Sequence, residues 1–261
     1  NINPTVGGLV GSNEGTITRC RTDVEITVDR VNLGGVHFTA GAGGIVGINE
    51  YSGLLFACHA IGNITMKGNA FSGNPIMRVG GIAGRNEKNY NLNSTIHCCI
   101  AEGDVSVTSE TEDINIYAGG LVGRHYGHYG GLLNSCYARG TAIANTVEAS
   151  TGETRAGAIV GFDEFTRDNN VQSCYGAGVG GQGTSNCTGN TYNTSPGEGD
   201  IYRIITNSIS TRGTITGYDP LATPAYGIDI SRSGDVKSRN FWLAGDGTWP
   251  VLHFTRNTLN N

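Results

Sequence analysis

Hydrophobic and polar residues alternate with a period of two along many short segments of this chain. Residues 104–108, Asp-Val-Ser-Val-Thr, are one example, and their hydrophobic members are β-branched. A period of two places successive side chains on opposite faces of a strand, and β-branched residues favour strands. Helical periodicity is absent, so the pattern predicts an all-β protein.

A Gly-Gly-Leu-Val-Gly phrase, or a close variant of it, occurs five times at intervals of 36 to 39 residues. The copies are residues 7–11, 43–47, 80–84, 119–123 and 157–161. Repetition at a fixed period is typical of stacked supersecondary units. Each repeat offers three strands: the glycine phrase, a segment leading into a cysteine, and an alternating segment after it. We therefore predict a parallel β-solenoid (β-helix) of about five rungs over residues 1–180.

One cysteine recurs in each repeat, with an aliphatic residue three positions before it. Stacked strands lie about 4.8 Å apart, which is within reach of a disulfide, but side chains in register point the same way and would strain the bond. Cysteine also behaves as a small buried hydrophobe. We predict a column of buried free thiols, to which Cys98 and Cys187 do not belong. The column contains Cys20, Cys58, Cys99, Cys136 and Cys174.

The glycine phrase does not recur in residues 181–261, and the pattern there is different. Both tryptophans, Trp242 and Trp249, lie in this part. The open end of a solenoid exposes unpaired strand edges, and terminal units of repeat proteins are atypical because they cover such edges. Residues 181–261 are therefore predicted to form a β-rich C-terminal cap.

Composition and charge exclude some classes of partner. The chain has 42 glycines, 15% charged residues and a formal net charge of −5. No cluster of Lys and Arg is present in the sequence, which argues against nucleic acid and anionic membranes as partners. No apolar run reaches about 18 residues, so no membrane-spanning segment is predicted.

The repeats resemble the GLUG-motif family, in which a Gly-Gly-Leu-Val-Gly phrase precedes Asn/Ser-Cys-Tyr-Ala-x-Gly. The fullest match is 119–123 followed by 134–140, Asn-Ser-Cys-Tyr-Ala-Arg-Gly, and the fifth copy has Gln-Ser-Cys-Tyr-Gly at 172–176. The first copy departs from the motif at 20–23, Cys-Arg-Thr-Asp. The resemblance covers about residues 1–180.

This resemblance implies a bacterial surface or secreted protein, often adhesin-like, whose repeats sometimes accompany an immunoglobulin-A-cleaving zinc peptidase. Such a peptidase needs His-Glu-x-x-His to hold zinc and activate water. None of the six histidines is followed by Glu. The resemblance therefore implies a location and an architecture, and no catalytic residue is carried over.

Glutamates follow the glycine phrase by three residues in four of the five repeats. Stacked in register, Glu14, Glu50 and Glu87 would bring like charges near 5 Å, which would raise their pKa values or attract calcium or another cation. Alternatively, the Asn before each Glu supplies a left-handed turn residue and the Glu points into water.

A second candidate site is an insertion after the fourth phrase. His125, Tyr126, His128 and Tyr129 combine two imidazoles with two aromatic faces, which could stack on a sugar ring, contact a protein or hold a metal. Two histidines without a third ligand make a weak metal site. The alternative is a solvated loop with ordinary aromatic packing.

The residue after each cysteine is predicted to point outward. In the fourth and fifth repeats these residues are Tyr137 and Tyr175, which would form a flat strip suited to recognition. The alternative is cross-strand pairing without a ligand. The five residues are Arg21, His59, Ile100, Tyr137 and Tyr175.

Parallel solenoids also include polysaccharide lyases and glycosidases, which need converging acid and base groups. Asp163, Glu164 and Asp168 form the densest acidic cluster in the repeats, but no recognisable partner accompanies them. We expect a non-catalytic, adhesin-like repeat protein that binds host protein, extracellular matrix or glycan through its loops. A structural stalk of a larger surface polypeptide and a carbohydrate-active enzyme are the alternatives.

Overall fold

The structure is a computed structural model in which all regular elements of the described residues are β-strands. It describes residues 3–34, 39–73, 75–87, 94–111, 114–126, 131–134, 136–146, 152–164, 171–172, 174–181, 242–243 and 251–252. Parallel sheets form a β-solenoid, so the predicted fold class is confirmed. No helix long and apolar enough to cross a membrane occurs in these ranges.

Two five-stranded parallel sheets flank the glycine phrase. Sheet A contains β1 (Thr5–Gly7), β6 (Thr39–Gly43), β11 (Ile76–Gly80), β16 (Asn115–Gly119) and β20 (Thr154–Gly157). Sheet B contains β2 (Val10–Asn13), β7 (Val46–Asn49), β12 (Ala83–Asn86), β17 (Val122–Tyr126) and β21 (Val160–Glu164). Each strand pairs with the equivalent strands of the neighbouring repeats.

Two further parallel sheets complete each repeat. Sheet C contains β3 (Thr16–Thr18), β8 (Leu54–Phe56), β13 (Thr95–His97), β18 (Leu132–Asn134) and β22 (Val171–Gln172). Sheet D contains β4 (Arg21–Asp23), β5 (Ile26–Gly34), β9 (His59–Ile61), β10 (Ile64–Ser72), β14 (Ile100–Ala101), β15 (Val105–Ser109), β19 (Tyr137–Asn145) and β23 (Tyr175–Gly181). It is one sheet because β19 pairs with both β14 and β15.

The prediction that the glycine phrase is itself a strand is wrong. Gly80 ends β11 and Ala83 begins β12, so Gly81 and Ile82 form the corner between sheets A and B. A Cβ on Gly81 would collide with the Gly120 carbonyl oxygen of the next repeat and lie 2.5 Å from the Ala101 Cβ. The phrase needs glycine because backbones of successive repeats approach closely at this corner.

The predicted thiol column is confirmed for its described members. Cys58, Cys99, Cys136 and Cys174 form no disulfide and are buried, whereas Cys20 is only half-buried. They share one apolar cluster with the aliphatic residues three positions before them. Burial raises the pKa of Cys136, which keeps its thiol protonated. Cys187 lies outside the described residues.

Cys98 has a conformational role that the sequence alone did not assign. Its φ is 54°, and the residues at the same position of the two preceding repeats, Ala57 and Arg19, have φ of 54° and 53°. A left-handed residue therefore turns the chain from sheet C into sheet D. The Asn before each Glu, by contrast, is not a left-handed turn residue, since Asn49 ends strand β7.

Only a small part of the predicted C-terminal cap is described. Strands β24 (Trp242–Leu243) and β25 (Val251–Leu252) pair antiparallel. The prediction for the rest of residues 181–261 lies outside the described residues, apart from Gly181 at the end of β23.

Candidate functional site

The strands of sheet B carry two different columns of side chains on their two faces. Successive residues of a strand point to opposite faces. In β12, Asn86 points to one face and Arg85 to the other. Asn86 is fully buried and Arg85 is partly exposed. The two faces of sheet B therefore differ in their access to solvent.

The buried face holds an amide ladder formed by Asn13, Asn49 and Asn86. Asn13 Nδ2 donates to Asn49 Oδ1 at 2.8 Å, and Asn49 Nδ2 donates to Asn86 Oδ1 at 2.8 Å. Asn49 Nδ2 also donates to the Gly53 carbonyl at 3.0 Å. Each amide thus provides a hydrogen-bond partner for the amide of the next repeat, and the bond from Asn49 to the Gly53 carbonyl holds the turn after the strand. These are structural roles.

His125 continues this ladder and does not belong to an exposed loop. It is fully buried, and its Nδ1 accepts a hydrogen bond from Asn86 Nδ2 at 3.1 Å. Burial lowers the pKa of His125 to about 4, so the ring is neutral and carries its proton on Nε2. The prediction that His125 belongs to a solvent-facing binding loop is wrong. His128 and Tyr129 lie outside the described residues.

Asp163 occupies the next position in the same column. It pairs in register with His125 and is 1% exposed. Burial raises the pKa of Asp163 to about 7. From the sequence, Asp163 and Asp168 are members of a candidate catalytic cluster. Asp163 is buried within the solenoid, and Asp168 lies outside the described residues.

The proposed cation column of Glu14, Glu50 and Glu87 is interrupted by an arginine. Arg85 Nη2 lies 3.7 Å from Glu50 Oε2, and Arg85 Nε contacts Glu87 Oε2. No group of three His, Cys, Asp or Glu side chains in the described part of the chain is arranged to hold a metal ion. The cation hypothesis gains no support at Glu50 and Glu87, because a guanidinium already provides the positive charge there.

The residue after the cysteine is buried in three repeats, contrary to prediction. Tyr137 is 2% exposed, and His59 and Ile100 are also buried. Of the four side chains described at this position, only Arg21 is exposed as expected. Tyr175 pairs in register with Tyr137, but its side chain lies outside the described residues. Tyr137 therefore does not offer a flat exposed surface to a ligand.

Another set of side chains gathers between the outer faces of sheets A and B. We call it the arginine–aromatic cluster. Sheet A contributes one residue from each of three repeats, and sheet B contributes the residues after the glycine phrase together with Tyr126. The cluster consists of Arg78, Arg85, Tyr117, Arg124, Tyr126, Arg155 and Phe162.

Aromatic rings and guanidinium groups pack against one another in this cluster. The rings of Tyr117 and Phe162 stack with centroids 4.8 Å apart. The Arg155 guanidinium carbon lies 4.9 Å from the Phe162 centroid. That of Arg124 lies 4.4 Å from the Tyr126 centroid and 5.4 Å from that of Phe162. These distances are within the range of cation–π contacts.

Glu153 balances part of the positive charge. It accepts hydrogen bonds from Arg155 Nη2 at 3.0 Å and from the Tyr117 hydroxyl at 2.8 Å. Burial opposes ionisation of Glu153, but these bonds and the arginines nearby lower its pKa. Burial and the Glu153 charge both raise the pKa of Tyr117, so its hydroxyl stays a donor.

Arg78 is the most enclosed guanidinium of the cluster. The residue is 2% exposed, and its Nε has no hydrogen-bond partner. Burial, with repulsion from Arg85 and Arg124, lowers the pKa of Arg78 to about 9. Arg78 is thus still charged at neutral pH. Guanidinium groups beside aromatic faces are suited to binding carboxylates and sugars.

Among the predicted ligand-binding residues whose side chains the structure describes, only Tyr126 belongs to this cluster. The other members of the cluster were not identified from the sequence, because each of its arginines is isolated there. Aligning the repeats on their glycine phrase offers a signal. Two residues before the phrase stand Gly41, Arg78, Tyr117 and Arg155 in the second to fifth repeats, and directly after it stand Ser12, Ile48, Arg85, Arg124 and Phe162 in the five.

No protein-family model matches the chain, and neither a curated protein nor a solved structure does. The resemblance to the GLUG-motif family therefore stays a prediction from the sequence.

Proposed function

We propose that the chain is a non-catalytic binding module of a bacterial surface or secreted protein, adhesin-like in role, and that it binds a host glycan through the arginine–aromatic cluster. The supporting observation is the change along one sheet position from Gly41 to Arg78, Tyr117 and Arg155. Concentrated aromatic and guanidinium groups are typical of recognition surfaces. Host protein and extracellular matrix remain the other classes of ligand for the same surface.

Glycan is the best-supported ligand class because the cluster combines ring faces with charged donors. A pyranose ring can pack on an aromatic face while its oxygens accept hydrogen bonds from guanidinium groups. Tyr126 is half-buried and Arg85 keeps 17% of its side chain exposed. The cluster is therefore reached from solvent at these two residues.

A structural stalk is the second candidate, and the amide ladder supports it. Hydrogen bonds connect Asn13, Asn49, Asn86 and His125 without interruption over four repeats. A column of this kind gives a repeat protein lengthwise cohesion. A spacer of this kind needs no ligand.

Binding to glycan and host-protein arrays would separate the two candidates. We expect the chain to bind a glycan and Tyr126→Ala to lose about 5- to 30-fold in affinity, since a ring contact contributes about 1–2 kcal/mol. Phe56→Ala is the matched control, because Phe56 is a half-buried ring of sheet C that stacks on His97 at 5.4 Å. Absence of any glycan or protein ligand would contradict the binding proposal and leave the stalk.

A further inference from the structure

We infer that Arg78 binds the carboxylate of an acidic saccharide, of the uronic or sialic acid class, whose ring packs at the Tyr126 end of the arginine–aromatic cluster. This inference rests on the proposed function and specifies its ligand. It follows from how charge is distributed among the residues of the cluster.

Arg78 differs from Arg85 and Arg155, which are both paired with carboxylates. Arg85 contacts Glu50 and Glu87, and Arg155 contacts Glu153. Among the described residues, no carboxylate forms an ion pair with Arg78. Arg78 therefore has room in its charge balance for the carboxylate of a ligand.

A comparison of two repeats shows what Arg78 lacks. Arg155 stands at the same sheet position as Arg78, with Tyr117 between them in the ladder. Its partner, Glu153, lies two residues earlier in the chain, where the third repeat has Ile76. The fifth repeat therefore carries its own carboxylate at this place, whereas the third repeat carries an aliphatic residue.

Burial makes the missing carboxylate costly for the free protein. A guanidinium withdrawn from water needs an opposite charge and hydrogen bonds to offset its lost hydration. Arg78 is 2% exposed, so a whole sugar ring cannot reach it, and our inference requires that only the carboxylate of the ligand enters the cluster as far as Arg78. A planar carboxylate matches the fork of guanidinium donors. The sugar ring would stay at the half-buried Tyr126.

Titration calorimetry of the full chain would test this inference with chemically matched probes. The probes are an oligogalacturonide, its methyl ester, sialyllactose, lactose and a sulfated galactose oligosaccharide. We expect at least one acidic probe to bind at least about tenfold more tightly than its uncharged counterpart, the effect of one charge-assisted hydrogen bond. The methyl ester keeps the sugar and removes only the charge.

Two variants assign that preference to Arg78. Arg78→Met should abolish it, and Ile76→Glu should abolish it too by supplying an internal carboxylate as Glu153 does for Arg155. Arg139→Met is the control for loss of one positive charge, because Arg139 lies on sheet D and pairs with Glu102 at 3.4 Å. Neither Arg78→Met nor Ile76→Glu should lower the melting temperature of the free chain. If Arg78→Met fails to fold, the binding preference of Ile76→Glu still tests whether Arg78 binds the carboxylate.

The outcomes distinguish this inference from the proposed function. A preference for the acidic probe that survives in Arg78→Met or in folded Ile76→Glu would overturn the inference. Tighter binding of the sulfated probe than of both carboxylate probes would also overturn it. Binding of lactose or of a host protein that depends on Tyr126 but not on Arg78 would leave the proposed function intact and remove only the inference. Absence of any ligand would remove both.

Discussion

The amide ladder and the arginine–aromatic cluster lie on opposite faces of the same sheet B strands, yet they differ in how their residues vary. On the ladder face, asparagine recurs at Asn13, Asn49 and Asn86. On the cluster face the adjacent positions hold Ser12, Ile48 and Arg85. A buried amide must match the amides above and below it, whereas an outer position has no such requirement. Over the first three repeats, therefore, the side-chain chemistry of sheet B changes on the outer face and is constant on the ladder face.

The energetics of the two faces differ for the same reason. A buried amide that loses its partner costs about 1–3 kcal/mol. A cation–π contact at a partly exposed site contributes about 0.5–2 kcal/mol, and its loss leaves groups that water can reach. We expect substitutions on the ladder face to affect stability and those on the cluster face to affect binding.

The largest effect is expected at the corner on which both faces depend. Gly81→Ala should destabilise the chain by about 3 kcal/mol or more, because the added Cβ would collide with the Gly120 carbonyl oxygen. Gly15→Ala is the control, since a Cβ at Gly15 has no atom within 4 Å, and should change stability by less than about 0.5 kcal/mol. Urea unfolding would measure both. Equal effects would refute the role assigned to the corner.

Asp163 is the position at which the ladder face departs from its own pattern. Its folded pKa, about 7, lies above the usual value for Asp, so the folded state binds the proton more tightly than the unfolded state. The contribution of Asp163 to stability is therefore greatest at acidic pH and is lost as pH rises from about 4 to 7. Asp163→Asn should remove this loss and stabilise the chain at pH 8 by about 2–4 kcal/mol.

Melting curves of Asp163→Asn and the unsubstituted chain at pH 4 and pH 8 would check this. His125, with a folded pKa of about 4, adds the opposite dependence because stability falls as pH drops from about 6.5 to 4. It contributes to both proteins, so the difference between them isolates Asp163. A stabilisation of equal size at both pH values would contradict the assignment.

An interruption of the ladder should cost slightly less than the corner substitution. Asn49→Ala removes the partner of Asn13 and of Asn86 and frees the Gly53 carbonyl. We expect a loss of about 3 kcal/mol. Asn13→Ala, at the end of the ladder and 7% exposed, should lose only about 1 kcal/mol. Chemical unfolding that gives the two variants the same stability would refute the cooperative ladder.

The smallest change in stability is expected on the cluster face. Tyr117→Phe removes one hydrogen bond, from the tyrosine hydroxyl to Glu153 at 2.8 Å, and keeps the ring stacked on Phe162. Glu153 retains its bond to Arg155. The loss should be about 1 kcal/mol or less by thermal melting. A loss as large as that of Asn49→Ala would show that the two faces do not differ in the way proposed.

The sequence predicted the parts of this fold that repeat. Period-two alternation and the recurring Cys58, Cys99 and Cys136 predicted strands and a thiol column because stacking places equivalent residues together. The outward exposure of Tyr137 was predicted wrongly, since alternation identifies a face but not whether distant parts of the chain cover it. The cluster was missed because contact between Tyr117 and Phe162 requires the chain to turn between two sheets, and this turn is not visible in residue spacing.

The direction of the amide ladder has an electrostatic consequence. Asn13, Asn49 and Asn86 each donate toward the following repeat, so their side-chain dipoles point the same way and add along the solenoid axis. The carbonyl oxygens form the negative end at the first repeat, and the N–H groups form the positive end toward the fifth. Asp163 stands at that positive end, where the ladder dipole favours an ionised carboxylate as a helix N-terminus does, but burial outweighs this effect and raises the pKa of Asp163. The axis of the solenoid thus has electrical polarity as well as chain direction.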